Sequence, residues 1–424
     1  MNICVVAYKF GNEKEIGEHL GTYHYFIEKM RTLVKDGHEV IVVAPYLSFI
    51  RKGSENIDGV KVIRYFPPMM NTIWLFPVNR IIRRMYILKT QRVVLKTLKT
   101  QKIDLVYVWQ ARETGYAIAK IKEKIGVPFF FRQITAWHWH FERSVGEIFG
   151  KKPWYKKLQK IGLGRIIDKV LAVLLDKESQ ILFAKTIYDK ADKVVFLSRA
   201  AIDESKELSL DPKKAVDLGV AIEEDFFRPM NNKDSIRKEL GIKGDHVVLF
   251  IGRLSFAEKG IGYLIEAMKE VVSHFSSANL IIVGGGGEED RARKLIGELA
   301  LEKNIQIVGK KPFQDLPKYI NAADVLVVPS VWMEAFGQVT IEGMSCGVPV
   351  ITSDAGASPE INIDGETGIV VPAKDIKKLT HAIIEMLSND NERLRMGGAA
   401  RQRVLSHYTY SAITKKFLGI IKQH

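Results

Sequence analysis

The segment that decides the fold reads Val325-Leu-Val-Val-Pro329, then Ser330-Val-Trp-Met-Glu334-Ala-Phe-Gly-Gln-Val-Thr-Ile-Glu342, then Gly343-Met-Ser-Cys-Gly-Val-Pro-Val-Ile351. Four apolar residues stopping at a proline read as a buried strand, and the apolar run at 348–352 reads as another. Between them lie a loop through Phe336-Gly337 and a helical stretch that ends at a glycine. Strand, loop, helix and strand in this order make a parallel crossover unit. Such a unit sets the N–H groups of a helix start beside two acids of fixed spacing, Glu334 and Glu342. An amphipathic helix with two surface acids would show the same pattern, so the rest of the chain has to separate the readings.

The alternation continues on both sides of this segment. In the second half, apolar runs at 247–251, 279–283, 305–308 and 324–328 read as strands, with a helix at 262–275. In the first half, strands are expected at 2–7, 39–44, 104–109 and 129–132, with helices at 21–35 and near 114–124. Strands alternating with helices predict parallel sheets of βαβ units. The fold class is therefore α/β, with two doubly wound, Rossmann-like domains facing a cleft, the expected ligand site. The loop Phe226-Phe-Arg-Pro229 marks the boundary, giving an N-terminal domain at 1–225 and a C-terminal domain at 226–404. Residues 136–190, rich in aromatics and lysines, show no regular period.

The 424 residues, 46% of them hydrophobic, suit two or three globular domains. The two cysteines, Cys4 and Cys346, sit among apolar or small residues and read as buried thiols of a reducing compartment. The first eight residues read as a strand rather than a leader, and no uncharged apolar run reaches 18 residues, so a cytoplasmic protein without a membrane span is expected. Charge is uneven. Residues 1–220 hold 38 Lys and Arg against 23 Asp and Glu, whereas 221–424 hold 25 against 26. A basic half beside a neutral one predicts an anionic partner for the first domain.

Several short motifs follow strands. Gly252-Arg253-Leu254 succeeds the 247–251 run, and Lys259-Gly260 comes shortly after. At the carboxyl end of a parallel strand, Arg can grip a diphosphate bidentately and Lys can act as a point charge; a solvated turn with two cations is the plainer reading. Ile281-Ile-Val-Gly-Gly-Gly-Gly287 runs a strand into four glycines. It is neither a dinucleotide fingerprint nor a Walker A loop. If a helix starts just after Glu334, the amides of Phe336, Gly337 and Gln338 point outward, where Glu334 could accept from sugar hydroxyls and Glu342 from a ribose. In the first half, Gly17-Glu-His-Leu-Gly21 occupies the phosphate-proximal turn after the first strand. His138 and His140, within Ala136-Trp-His-Trp-His-Phe141, form either a site wall or a partly buried strand. No Cys/His cluster has zinc spacing and no Asp-x-Asp occurs, so no metal and no cofactor are expected.

Together these residues resemble the family-four (group 1) retaining glycosyltransferases of the GT-B fold. The likeness is densest from Gly252 to Pro372. It rests on Gly252-Arg-Leu with Lys259-Gly260, the glycine turn at Gly285, Val308-Gly309, the Glu334/Glu342 pair and Gly365-Glu-Thr-Gly-Ile-Val-Val-Pro372. The resemblance implies that Arg253 and Lys259 bind a donor diphosphate, Glu334 the sugar, Glu342 the ribose and the backbone of Val308, Gly309 and Lys310 the base. It further implies transfer from a nucleotide diphosphate sugar with retention and without an essential metal, and a last helix at about 405–424 crossing back to the first domain. Three positions depart from the family. Leu218-Gly-Val-Ala221 stands where Asn-Gly-Val-Asp is common, a double glycine is reduced to Gly21, and Ile134-Thr135 replace a histidine, with His138 the nearest substitute.

The acceptor side carries a different signal. Residues 80–102 hold Arg80, Arg83, Arg84, Lys89, Arg92, Lys96, Lys99 and Lys102 with no acid, and Ile81, Met85, Leu88 and Leu95 recur at helical spacing. An apolar loop precedes them, and residues 151–169 add seven cations against Asp168. Segments 66–102 and 151–169 could therefore dock on an anionic membrane, at the inner face of the cell membrane, where a glycan or lipid-linked acceptor would lie. A core-facing helix with a solvated basic face is the alternative. Nucleic-acid binding would leave the second half unexplained and is not expected. A GT-B phosphorylase, a nucleotide-sugar epimerase or a nucleotide-sugar sensor would share the donor site and differ in needing no acceptor.

Overall fold

The computed structural model describes residues 1–16, 20–48, 53–67, 76–109, 112–134, 157–158, 160–163 and 177–423. His138 and His140, Gly17 to His19, and most of 151–169 lie outside the described residues. The chain divides into a first unit, Met1–Leu197 with Ala201–Leu218 and Ile421–His424, and a second, Ser198–Ala200 with Gly219–Ile420. The division falls at Leu218–Gly219, ahead of the Phe226–Pro229 loop.

In the first unit, β1 (Asn2–Ala7), β2 (Glu39–Pro45), β3 (Asn56–Ile57), β4 (Val60–Tyr65), β5 (Leu105–Trp109), β6 (Phe129–Arg132), β7 (Lys193–Phe196) and β8 (Ala215–Asp217) form one sheet in the order β3-β4-β2-β1-β5-β6-β7-β8. All neighbours are parallel except β3 with β4. Both faces of such a sheet are covered, which is why β5 and β6 are buried along their whole length. Helix Phe76–Thr100 turns Tyr86, Thr90, Val94 and Thr97 inward, four residues spaced to share one face. Two of its polar groups are satisfied there: Tyr86 Oη and Thr114 Oγ1 lie 2.7 Å apart, as do Tyr65 Oη and Thr90 Oγ1. The expected helix near 114–124 is broken into Arg112–Ala119 and Lys122–Ile125, the second ending at a left-handed Gly126.

In the second unit, β9 (His246–Ile251), β10 (Ala278–Val283), β11 (Ile305–Gly309), β12 (Val325–Val328), β13 (Val350–Ser353) and β14 (Gly368–Val371) form an all-parallel sheet in the order β11-β10-β9-β12-β13-β14. Helix Ile261–His274 buries Ile261, Leu264, Ile265, Met268 and Val271, an i, i+3, i+4, i+7, i+10 stripe, and packs against helix Ile376–Ser388. Each such aliphatic side chain contributes about 1.5–3 kcal/mol by leaving water. The chain steps from β9 out to β11 and then returns to the other side of β9 as β12. That reversal is the topological switch point, where loops leaving adjacent strands turn in opposite directions and open a crevice. No helix among the described residues is long and apolar enough to cross a membrane.

Candidate functional site

The loop after β9 is tied to both neighbours across the switch. On one side, Gly252 N donates to Val283 O (3.0 Å), Leu254 N to Gly285 O (3.1 Å) and Gly284 N to Gly309 O (2.9 Å), so the exits of β9, β10 and β11 are joined through their backbones. Gly284, at φ +144°, must be glycine because a Cβ would land on the Gly252 carbonyl oxygen. On the other side, Val331 N and Trp332 N both donate to Glu258 O, at 2.9 and 3.2 Å. Gly260, at φ +66°, passes so close to Pro329 O that no side chain fits. The loop 252–260 is thus held in place from two directions, and it carries Arg253 and Lys259.

Those two cations meet acids. Lys259 Nζ pairs with Glu334 Oε1, and Arg253 pairs with Glu258. Glu334 Oε1 also accepts from Ser330 Oγ (2.7 Å), and Ser353 Oγ donates to Ser330 O (2.5 Å). The loop around Glu334 is propped from below: Ala357 N donates to Glu334 O and Ser198 Oγ to Ala335 O, each at 2.8 Å. Phe336 is buried and meets the edge of Tyr408 at 5.6 Å. Gly337 then takes a left-handed conformation (φ +90°) as the N-cap of helix Gln338–Ser345, and no side chain caps that helix. Within its first turn Thr340 N donates to Gly337 O (3.0 Å), and the amides ahead of it precede any intrahelical acceptor and can turn to solvent or a ligand.

The structure therefore brings Gly252, Arg253, Lys259, Glu334, Phe336, Gly337 and Gln338 to the carboxyl ends of the central strands β9 and β12. Gly285 faces the Lys310 side chain, with Val308 and Gly309 at the end of outer strand β11 beside it. Glu342 lies in the second turn of the helix and is only 4% exposed. Burial first, and then the Glu342 charge, push the Cys346 thiol far above its ordinary range; burial pushes Cys4 up to about 12. Both cysteines are free and buried. Gly21 lies in the first unit, inside helix Leu20–Lys35 rather than in the turn before it. Sequence reasoning passed over Glu258, Ser353 and Ala357, and took Ser330 only as the start of the site loop 330–337. The first could have been noticed as the acid next to Lys259; the others act through a hydroxyl or an amide that any sequence offers in abundance. Among the described residues, no group of three or more His, Cys, Asp and Glu is placed to hold a metal ion.

The first unit holds cations of another kind. Lys29, on helix Leu20–Lys35, and Arg132, the last residue of β6, are each 3% exposed. Lys29 Nζ lies 5.3 Å from the Tyr107 ring centre and 5.6 Å from that of Trp109, and the Arg132 guanidinium is 4.8 Å from Trp109. Burial, followed by the Arg132 charge, pulls the Lys29 ammonium well below its ordinary range.

Residues 232–403 match the family described as glycosyl transferases group 1. Among curated proteins, a GDP-mannose-dependent monoacylated alpha-(1-6)-phosphatidylinositol monomannoside mannosyltransferase of Corynebacterium glutamicum is 30% identical over 197 residues, 45% of this chain and 51% of that protein. The chain thus spans about half the length of that relative. An uncharacterized glycosyltransferase of Methanocaldococcus jannaschii is 25% identical over 401 residues, 92% of this chain and 91% of that one. Among solved structures, Anabaena HepE in complex with UDP superposes with a TM-score of 0.71 at 16% identity, covering 100% of both chains. At that identity the likeness is one of fold, and the fold is that of the GT-B glycosyltransferases.

Proposed function

We propose that this chain, which belongs through residues 232–403 to the group 1 glycosyl transferases, moves a sugar from a nucleoside diphosphate sugar to an acceptor with its anomeric configuration retained. The observation that carries this reading is the meeting of Arg253, Lys259 and Glu334 with an uncapped helix start at the switch point of the second sheet. As the sugar leaves, negative charge grows on the diphosphate. Arg253, Lys259 and the first-turn amides of helix Gln338–Ser345 stabilise it from fixed positions, without a metal. Glu334 binds the sugar hydroxyls and Glu342 the ribose. The acceptor attacks on the face the diphosphate leaves, and the departing phosphate takes the acceptor proton. A relative named for GDP-mannose and a solved protein holding UDP both support a nucleoside diphosphate donor.

A thermal-shift panel of nucleoside diphosphates and their sugars identifies the donor, and turnover is then followed as free nucleoside diphosphate. Release that requires an added acceptor separates a transferase from an epimerase or a sensor. Arg253→Ala lowers turnover by about 10²–10³-fold, the scale of removing one fixed charge-stabilising group. Undiminished turnover in both Arg253→Ala and Lys259→Ala would remove this chemistry.

For the acceptor we infer a glycan or lipid-linked molecule presented at an anionic membrane face. Helix Phe76–Thr100 supports this. Its apolar residues Ile81, Met85 and Leu88 are 62%, 49% and 44% exposed, on the face opposite Tyr86, Thr90 and Val94, with Arg84, Lys89 and Arg92 exposed among them. A stripe of large apolar groups between cations suits the headgroup region of an anionic bilayer. Vesicle flotation tests it: anionic vesicles carry the protein up at low salt and neutral ones do not. Equal recovery with both would overturn the inference.

A further inference from the structure

Arg253 and Lys259 each face an acid, but the two acids are built differently. Glu334 leads into the helix start, and its carboxylate is shared between Lys259 and Ser330. Glu258 stands on the same loop as the cations, directly before Lys259, and its side chain is 11% exposed against 53% for Arg253. Its main chain has a separate duty, because its carbonyl receives Val331 N and Trp332 N and its amide donates to Ser255 Oγ (3.2 Å). A change confined to the side chain leaves those bonds in place.

We propose that the Glu258 carboxylate is an internal substitute for the donor's phosphate, competing for the Arg253 guanidinium and so setting how tightly donor and product are held. This rests on the reading of Arg253 as a diphosphate ligand. An ion pair whose arginine is half in water is weak and exchanges readily. A phosphate can take over the guanidinium in bidentate fashion. The displaced carboxylate has little freedom to retreat, since it is anchored by a loop tied to both neighbouring strands, and it stays within a few ångströms of the incoming anion. At that range and partial solvation, like charges weaken binding about five- to tenfold. The nucleoside diphosphate product carries one more ionisable phosphate oxygen than the donor, so the repulsion falls harder on product than on substrate. Glu258 thereby speeds product departure at the expense of affinity.

The test is calorimetric titration of wild type and Glu258→Gln with the nucleoside diphosphate identified by the panel and with its sugar. Glu258→Gln is expected to bind the diphosphate about five- to tenfold tighter, with a smaller gain for the sugar nucleotide and a shrinking advantage at high salt. Product inhibition should tighten in step. Unchanged or weaker binding in Glu258→Gln, at an unchanged melting temperature, would overturn the proposal and leave the carboxylate as a prop for Arg253. Glu258→Ala provides a second variant with the same expected sign, and failure of both to fold would assign the side chain to stability instead. A wild type that binds no nucleoside diphosphate sinks the reading of the site itself. Binding by wild type without a gain in the variants sinks only this inference.

Discussion

Each unit of this chain carries a pair of cations, and the two pairs are housed in opposite ways. In the first unit, Lys29 and Arg132 are withdrawn from water against the faces of Tyr107 and Trp109. In the second, Arg253 and Lys259 keep 53% and 32% of their side-chain surface and face carboxylates from their own and the neighbouring loop. A desolvated cation is expensive to rearrange, whereas a half-solvated pair can trade one anion for another at little cost. The exchangeable cations therefore belong to the half of the chain whose net charge is close to zero. Net charge over a domain predicts long-range attraction; it does not locate the place where an anion is gripped.

The largest expected effect breaks the comparison at its reactive end. Lys259→Ala should lower turnover by about 10²–10³-fold with its melting temperature little changed, because the lysine is partly solvated and its loop is held by backbone bonds. A large fall in melting temperature would place Lys259 with the buried pair instead.

A third setting lies within the second unit. Asp324, 7% exposed, accepts from Arg237 (2.7 Å), Lys233 (3.1 Å) and Val247 N (2.7 Å). Burial alone would raise its pKa, but the Lys233 and Arg237 charges and the Val247 amide outweigh that and hold it below the ordinary value. Asp324→Asn should cost about 3 kcal/mol in urea unfolding near neutral pH, since it removes the buried carboxylate that answers Lys233 and Arg237 and leaves Arg237 only the Ala322 and Asp245 carbonyls. The folded carboxyl titrates below the unfolded one, so its contribution is whole above the unfolded pKa of about 3.9 and disappears as pH falls through the folded value. The mutant should lack that part of the acid slope.

Gly260→Ala should be next, at about 2–3 kcal/mol by thermal unfolding, because it sets a methyl group against Pro329 O at a left-handed φ. Recovery of full stability would mean that the Lys259 loop can move away from β12. The smallest effect belongs to Lys29. Its folded pKa is depressed, so between that value and the unfolded pKa of about 10.4 the unfolded chain binds the extra proton and stability rises with pH. Lys29→Met should flatten that rise in urea midpoints taken from neutral to alkaline pH.

How much of this could be read from the sequence depends on the range of the interaction responsible. The long apolar strands β1, β2, β5, β9, β10 and β12 were legible because burial on both faces leaves an unbroken apolar run. Strands β4, β7, β8 and β14 were not: Val60–Tyr65 carries Lys61 and Arg64, and Ala215–Asp217 is only three residues long. Arg253, Lys259 and Glu334 could be named from their places after strands, and the structure puts them together. Which acid neutralises which cation could not be assigned. Glu258 meets Arg253 on a loop whose backbone is held by bonds from Val331 and Trp332, segments far apart from it in the chain. The Ile81, Met85, Leu88 stripe could be read as either core or surface until Tyr86 and Thr90, bonded inward to Thr114 and Tyr65, fixed the other face as the buried one.

The reversal of strand order at β9 also bears on how the protein comes to be made. Lys259 and Glu334 are separated by 75 residues of chain, and the loops that carry them leave the paired strands β9 and β12. A nascent chain long enough to contain the glycine turn and both cations still has no site, because the partner strand has yet to arrive. Closing so long a loop is slow relative to local helix formation. A nucleotide spanning the two loops would bind only the completed pairing and would stabilise it by mass action. Donor concentration would then act on the lifetime of the folded second unit as well as on the rate of its reaction.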